Sequence, residues 1–263
     1  MKERLDVLLV RRGLCPTRQR ARQDILVGRV FVDGKEERKP GRSCEETAAL
    51  ELRGEALRYV SRGGLKLEKA LAVFNVDPTG MVCVDCGAST GGFTDCLLQN
   101  GAARVYALDV GTGQLAPSLL ADPRVVSMEN VNARSLRQGV LPESAALAVI
   151  DVSFISLRLV VPAVRQLLTD SGRIICLIKP QFEVGRQRLG KGGIVRDPEL
   201  QLQVLEELLA FFPTQGLFPA RLTYSPIRGD KGNVEYLCLL QMTPSEAAPE
   251  ARRVVEDARR ELK

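Results

Sequence analysis

The chain has 263 residues, 45% hydrophobic and 26% charged, an ordinary balance for a globular protein with room for one large domain or two unequal ones. It contains no histidine, which excludes His-based catalytic triads and His-containing zinc sites; any general base must be Lys, Asp, Glu, Tyr or Cys, and no metal is expected. The net charge is +5, and residues 1–29, with eight Lys or Arg against three Asp or Glu, hold a surplus of that size by themselves.

No stretch approaches the ~20 apolar residues of a membrane helix. The strongest apolar runs, 145–150 and 174–178, are strand-length. Glu3 and Asp6 sit where a signal peptide would have its apolar core, so a cytoplasmic protein without membrane contact is expected. The seven cysteines are odd in number and scattered, which argues against a disulfide framework. Cys83 and Cys86 have redox-motif spacing, but they fall at a strand end and read as small packing residues.

In chain order, Leu5, Leu8 and Leu9 share one face of a short helix ending at Gly13. Pro16-Thr17 restarts the chain, and Thr17 is placed to cap a second helix reaching Val27, with Ala21 and Ile25 facing inward and Gly28 ending it. Val30 and Val32 alternate with polar or exposed positions before Asp33-Gly34, a hairpin-turn signal, and a return strand is expected near 48–52. These pieces make a small basic α+β domain over residues 1–55, followed by a connector at 56–64. A helix over 65–74 opens a second domain reaching residue 245. There, strand-like runs near 82–85, 104–108, 125–128, 146–151, 173–178, 219–224 and 235–242 alternate with helical stretches at 92–100, 113–121, 156–168 and 198–212. Continuous apolar strands separated by helices predict an α/β, Rossmann-like domain with a mostly parallel seven-stranded sheet covered on both faces. Residues 246–263 read as a charged, self-neutralising tail able to form a helix.

The first strand of that domain runs into Asp85-Cys86-Gly87-Ala88-Ser89-Thr90-Gly91-Gly92-Phe93, a glycine turn between strand and helix where a ligand can approach the backbone. The spacing is not the dinucleotide Gly-x-Gly-x-x-Gly, and a carboxylate at Asp85 would repel a diphosphate while suiting a ligand with a cationic amino-acid end. Asp109 ends the second strand, where an acidic residue can bind ribose hydroxyls. Together they favour S-adenosylmethionine over NAD, with residues 85 and 87–93, Asp109 and Asp151 as its expected contacts. Asp151, Lys179 and Glu235 fall at strand ends facing the same crevice. Asn132 and Arg134 follow the third strand, near the adenine or the RNA. The loop at 185–196, with Arg186, Arg188 and Lys191, reads either as a clamp on RNA or as a solvated loop.

The run Asp-Cys-Gly-Ala-Ser-Thr-Gly-Gly-Phe-Thr, with Asp-Val-Ser-Phe-Ile-Ser, Lys-Pro-Gln-Phe-Glu and Gly-Lys-Gly-Gly-Ile-Val-Arg-Asp, closely resembles the TlyA family over essentially the whole chain. Members are often labelled haemolysins and are 2′-O-methyltransferases of cytidine in ribosomal RNA. Thr17-Arg18-x-x-Ala21 and Gly28-x-Val30-x-Val32-Asp33-Gly34 are similar to the RNA-binding domain named after ribosomal protein S-four, and Ser61-Arg62-Gly63-Gly64-Leu65-Lys66 to the entry into an FtsJ-like domain. The resemblance implies a catalytic tetrad of Lys66, Asp151, Lys179 and Glu235. A lysine serving as base for a ribose hydroxyl must first become neutral, which burial and a second cation favour. Lys179 is the expected base and Lys66 its neighbour or a positioning donor. Asp151 and Glu235 would orient the lysines and the ribose. Arg4, Arg11, Arg12, Arg18, Arg20, Arg22, Arg29 and Arg62, with Arg186 and Lys191, are the expected RNA contacts, acting on phosphates more than bases. A monomer suffices. Three rivals stand beside this reading. A non-enzymatic RNA-binding or ribosome-assembly factor has no reason to keep all four tetrad residue types. A membrane-active toxin lacks an apolar segment to carry it, and an NAD-dependent dehydrogenase lacks the glycine spacing.

Overall fold

The computed structural model describes residues 2–26, 28–54, 58–185, 188–229, 231–245 and 247–262, the Lys191 side chain excepted. The chain divides into two compact units, residues 1–62 and 63–263.

The N-terminal unit contains β1 (Lys2–Arg4), α1 (Leu5–Arg11), α2 (Arg18–Leu26), β2 (Val30–Val32), β3 (Lys35–Glu36), β4 (Ser43–Glu45) and β5 (Leu50–Leu52). Thr17 caps α2, its Oγ1 accepting from the Arg20 amide at 3.1 Å. The expected last helical residue, Val27, lies outside the described residues. Leu5, Leu8 and Leu9 are fully buried against Ala21, Ile25, Val30 and Val32. Asp33 and Gly34 both take positive φ, 51° and 77°, the pair a tight hairpin turn needs, and β2 lies between β3 and β5. The sequence reading missed the antiparallel pairing of β1 with β4: each strand is three residues long, too short for alternation to show.

The second unit contains α3 (Gly63–Phe74), β6 (Val82–Cys86), α4 (Gly92–Gln99), β7 (Arg104–Leu108), α5 (Pro117–Leu120), β8 (Val125–Met128), β9 (Ala145–Ile150), α6 (Leu157–Arg165), β10 (Leu168–Ile178), α7 (Pro180–Glu183), α8 (Pro198–Thr214), β11 (Phe218–Tyr224), β12 (Tyr236–Gln241) and α9 (Ala251–Glu261). The seven strands form one sheet in the order β11-β12-β10-β9-β6-β7-β8. All neighbours are parallel except β12, which runs antiparallel to both β10 and β11. The chain starts at β6, builds outward to β8, and returns to place β9 on the other side of β6. Between β6 and β9 the direction of winding reverses, and a crevice opens at the carboxyl ends of these two strands, where open α/β sheets bind ligands.

Residues of β6, β9, β10 and β12 are buried almost throughout, because helices cover both faces. Two helical stretches are shorter than the periodicity predicts. The run at 113–121 contributes only the single turn α5, since Gly113 takes φ 62° and Pro117 must occupy the first helical turn. The run at 156–168 ends at Arg165, and β10 begins three residues later. Residues 251–261 form α9, which packs on α8 and β11 through the buried Ala251, Val255 and Ala258. All seven cysteines are buried and none forms a disulfide; burial pushes the Cys83 and Cys86 thiols up to about 12, so they remain protonated packing groups.

Candidate active site

The turn after β6 is shaped by its glycines and by the strand beside it. Gly87 has φ 90°, and a Cβ there would lie 2.6 Å from the Asp151 carbonyl oxygen, so only glycine lets the β6 and β9 turns pass this closely. Four amides of the turn are spoken for. Gly87 and Ala88 donate to the Leu108 carbonyl at 2.8 and 3.1 Å, Gly91 to the Ala88 carbonyl at 2.7 Å, and the Ser89 amide to Asp109 Oδ2 at 2.8 Å. A diphosphate cradle needs such N–H groups free. The carboxylates of Asp85 and Asp109 stand at this turn, an arrangement that fits a ligand carrying a cation and a diol.

Asp85 is fully buried. Its Oδ2 accepts from the Thr94 amide at 2.9 Å and hydroxyl at 2.7 Å, pinning the first turn of α4, while its Oδ1 has no hydrogen-bond partner among the described residues. Burial, with Asp151 and Asp109 adding to it against the Thr94 bonds, pushes this carboxyl up to about 7. Asp109 Oδ1 accepts from the Gly111 amide at 2.7 Å, so this half-buried side chain ties the β6 turn to the one after β7. Ser89, at φ 47°, reaches Gln114 Oε1 with its hydroxyl at 3.1 Å. Of the other turn residues, Ala88, Thr90, Gly92 and Phe93 are buried; Phe93 is only 3% exposed and packs inward from α4.

The four residues of the implied tetrad come together as two ion pairs. Lys66 on α3 and Glu235, 169 positions apart, meet at 2.7 Å (Nζ to Oε2). Lys179 Nζ lies 2.5 Å from Asp151 Oδ1 and donates to Ser153 Oγ at 3.0 Å. Lys66, Lys179 and Glu235 are buried polar groups. Burial works against the Asp151 carboxylate, but the Lys66 and Lys179 charges outweigh it and hold the group below the usual carboxylate range. The influence of Lys66 on Asp151 makes the two pairs one electrostatic unit.

The Asp-Val-Ser-Phe-Ile-Ser and Lys-Pro-Gln-Phe-Glu segments are stapled to each other. Besides the Lys179 contacts, the Ser156 hydroxyl donates to Glu183 Oε2 at 2.6 Å, and Glu183 Oε1 accepts from the Leu157 amide at 2.8 Å, capping α6. Phe154 and Phe182 rings meet at 5.0 Å. Phe154 takes φ 64° and is 87% exposed, a bulky side chain held in the left-handed region beside the buried lysines. Ser153, Phe154 and Glu183 were passed over in the sequence, where a phenylalanine in an apolar motif reads as core. Val110, 73% exposed just after Asp109, is another apolar group at this edge that the sequence concealed.

In the N-terminal unit most of the expected RNA-contacting arginines already face carboxylates. Arg4 and Arg18 both pair with the buried Asp6, Arg20 and Arg29 with the buried Asp24, and Arg11 with Glu3 and Glu46. Arg12 donates to the Ala48 and Glu46 carbonyls. Arg22 is exposed. Arg186 and the Lys191 side chain lie outside the described residues, and Arg62 belongs to the N-terminal unit. Asn132 accepts from the Arg134 amide at 3.0 Å, starting a single 3₁₀ turn.

A Rossmann-like sheet with carboxylates at its switch-point turn, and paired lysines and acids beside it, defines a methyltransferase of the S-adenosylmethionine-dependent class. The chain belongs to the FtsJ-like methyltransferase family, whose pattern matches residues 59–242, and it carries an S4 domain over residues 3–48. It is similar to the 16S/23S rRNA (cytidine-2'-O)-methyltransferase TlyA of Mycobacterium tuberculosis, at 43% identity across 94% of this chain and 92% of that protein. Hemolysin A of Brachyspira hyodysenteriae is 42% identical, covering 89% of this chain and 98% of its own length. A solved structure of a hemolysin-named protein from Streptococcus thermophilus shares 45% identity and superposes with a TM-score of 0.78 over 99% of this chain and 97% of that one.

Proposed function

We propose that this protein transfers a methyl group to the 2′-hydroxyl of a ribose, that of a cytidine, in ribosomal RNA, working in the cytoplasm on ribosomal subunits. The observation that carries it is the joining of Lys66, Glu235, Lys179 and Asp151 into two touching acid–base pairs at the switch-point edge. The mycobacterial relative, a 16S/23S rRNA (cytidine-2'-O)-methyltransferase by name, supports ribosomal RNA and cytidine.

S-adenosylmethionine, when bound, supplies a methyl carbon made electrophilic by the adjoining sulfonium. Asp109 would hold its ribose hydroxyls, the backbone of residues 87–91 would lie against it, and the unpartnered Asp85 oxygen would accept from its amino-acid end through the turn. Val110 offers an apolar surface to the adenine. Lys179 would take the proton from the ribose 2′-oxygen at Nζ as that oxygen bonds to the methyl carbon and the carbon–sulfur bond breaks, its electron pair leaving with sulfur. Asp151 and Ser153 fix the direction of Nζ and then stabilise the ammonium that results. Lys66, aligned by Glu235, donates to the ribose oxygens and adds positive potential where the alkoxide develops. Phe154 gives the target base an aromatic face once it leaves its stack.

The experiment is methyl transfer from labelled S-adenosylmethionine to unmodified ribosomal subunits, comparing wild type with Lys179→Ala. Label in ribosomal RNA at one alkali-resistant nucleotide, lost in the variant, is the expected result. Folded, cofactor-binding wild-type protein that labels neither subunit would refute the ribosomal substrate. Label on a base instead of a ribose would refute the 2′-hydroxyl.

A further inference from the structure

The segment entering α8 and the loop between β11 and β12 enclose a cleft of about 470 Å³ in the second unit. Strand register fixes where it lies. Tyr236, the first residue of β12, pairs with Ile178 on one side and Tyr224 on the other. Residues 225–235 therefore hang from the same sheet edge as Lys179. Val234, which lines the cleft, directly precedes the tetrad residue Glu235. The opposite wall is tied to this one: the Val195 amide donates to Asn233 Oδ1 at 2.9 Å, and Asn233 Nδ2 donates to the Gly193 carbonyl at 2.9 Å. Asn233 is 3% exposed, so the cleft and the tetrad share a rigid wall.

Among the described residues the cleft is lined by the cations Arg196, Arg228, Lys231 and Arg259 together with apolar and amide side chains. Arg228 is held in place by the Gly232 and Leu262 carbonyls. Four cations around a concavity focus positive potential into it and attract a polyanion. Three of them are arginines, whose planar forks match phosphate oxygens two at a time. The space is larger than one phosphate and accepts a phosphodiester with a neighbouring sugar.

We propose that this cleft grips the RNA sugar–phosphate backbone beside the target nucleotide, giving the methyltransferase unit a phosphate-binding site of its own. The assignment rests on the RNA-substrate reading above. It explains why the Gly-Lys-Gly-Gly-Ile-Val-Arg-Asp segment lies here: Ile194, Val195 and Arg196 build one wall.

The test uses the full chain, with Arg259→Glu and Lys231→Ala as variants. Arg104→Ala is the control, a cation at the amino end of β7 paired with Glu143. The readouts are kcat and KM for unmodified ribosomal subunits, RNA affinity against salt concentration, S-adenosylmethionine affinity and thermal unfolding. Arg259→Glu should raise the RNA KM about tenfold or more, with a smaller change in kcat, and Lys231→Ala should act in the same direction. In Lys231→Ala the log–log salt slope should become shallower by about one unit. The control should match wild type, and cofactor affinity should hold throughout. Wild-type KM and salt slope in both cleft variants would overturn the proposal. So would tight binding of cytidine monophosphate that the variants abolish without any change in RNA kinetics, which would make this a small-ligand site. Should Arg259→Glu not fold, Lys231→Gln on the exposed loop decides the matter in the same way. A wild-type protein that methylates no RNA strikes at the substrate reading itself, a different outcome from a failed cleft variant.

Discussion

On the proposed mechanism Lys179 must do two things: hold its place against Asp151 and accept a proton. Arginine can do the first and not the second. Lys179→Arg is therefore expected to keep cofactor binding and fold while losing transfer by about a hundredfold or more, and single-turnover kinetics with labelled cofactor will show it. Lys66 poses a different problem, because removing it strands the buried Glu235 charge. Lys66→Met should cost about 3 kcal/mol in unfolding free energy, and adding Glu235→Leu should return most of that while activity stays lost. Denaturant titration of the single and double variants separates the structural share of this pair from its catalytic share. Asp85 carries a pH signature. Its carboxyl is raised by burial from 3.8 to about 7, so the folded state favours the neutral acid. The stability this confers is present below the unfolded value and is lost as pH rises through about 7. Wild type minus Asp85→Asn should accordingly fall by a few kcal/mol between about pH 4 and about pH 7. A flat difference would place the ionised form in the folded protein.

The elements were readable wherever one physical signal dominated. Apolar runs bounded by turn residues located all seven strands of the main sheet, because strands buried on both faces tolerate little else. Helices failed where local chemistry interrupted the period, as Gly113 and Pro117 did for α5. The three-residue strands β1 and β4 were invisible because pairing across forty residues leaves no local pattern. Helix α9 lies in a stretch of alternating charges, and only the packing of Val255 and its neighbours on α8 and β11 shows it to be part of the core. Val255→Asp should lower the unfolding midpoint by the equivalent of a few kcal/mol, where a solvated tail would not respond. At the β6 turn, Gly87→Ala sets a Cβ against the Asp151 carbonyl at φ 90°. It should cost about 2 kcal/mol and reduce transfer by more than the stability loss accounts for, since Asp151 moves with its carbonyl.

Across the whole molecule, charge is distributed by purpose. The N-terminal surplus of five positive charges is spread over arginines that carboxylates orient, which fixes their guanidinium groups without cancelling the excess. In the proposed RNA-binding role such arginines would read backbone and shape, so Arg22→Ala should weaken binding to unrelated RNAs about equally and make the salt slope shallower by about one unit. The sequence by itself determined the two-unit plan, the Rossmann-like sheet and the glycine turn, because periodicity, turn chemistry and local spacing are properties of neighbouring residues. The tetrad was legible only through the family likeness of its motifs, since no local pattern relates Lys66 to a glutamate 169 positions away. What tertiary structure alone decided were the partnerships: which lysine meets which acid, that Asp85 is buried behind its turn, that Phe154 stands out in solvent, and that four cations converge beside Glu235. Each depends on strands brought side by side by the reversal at β6 and β9, and electrostatics at a few ångströms answers to that proximity and not to order along the chain.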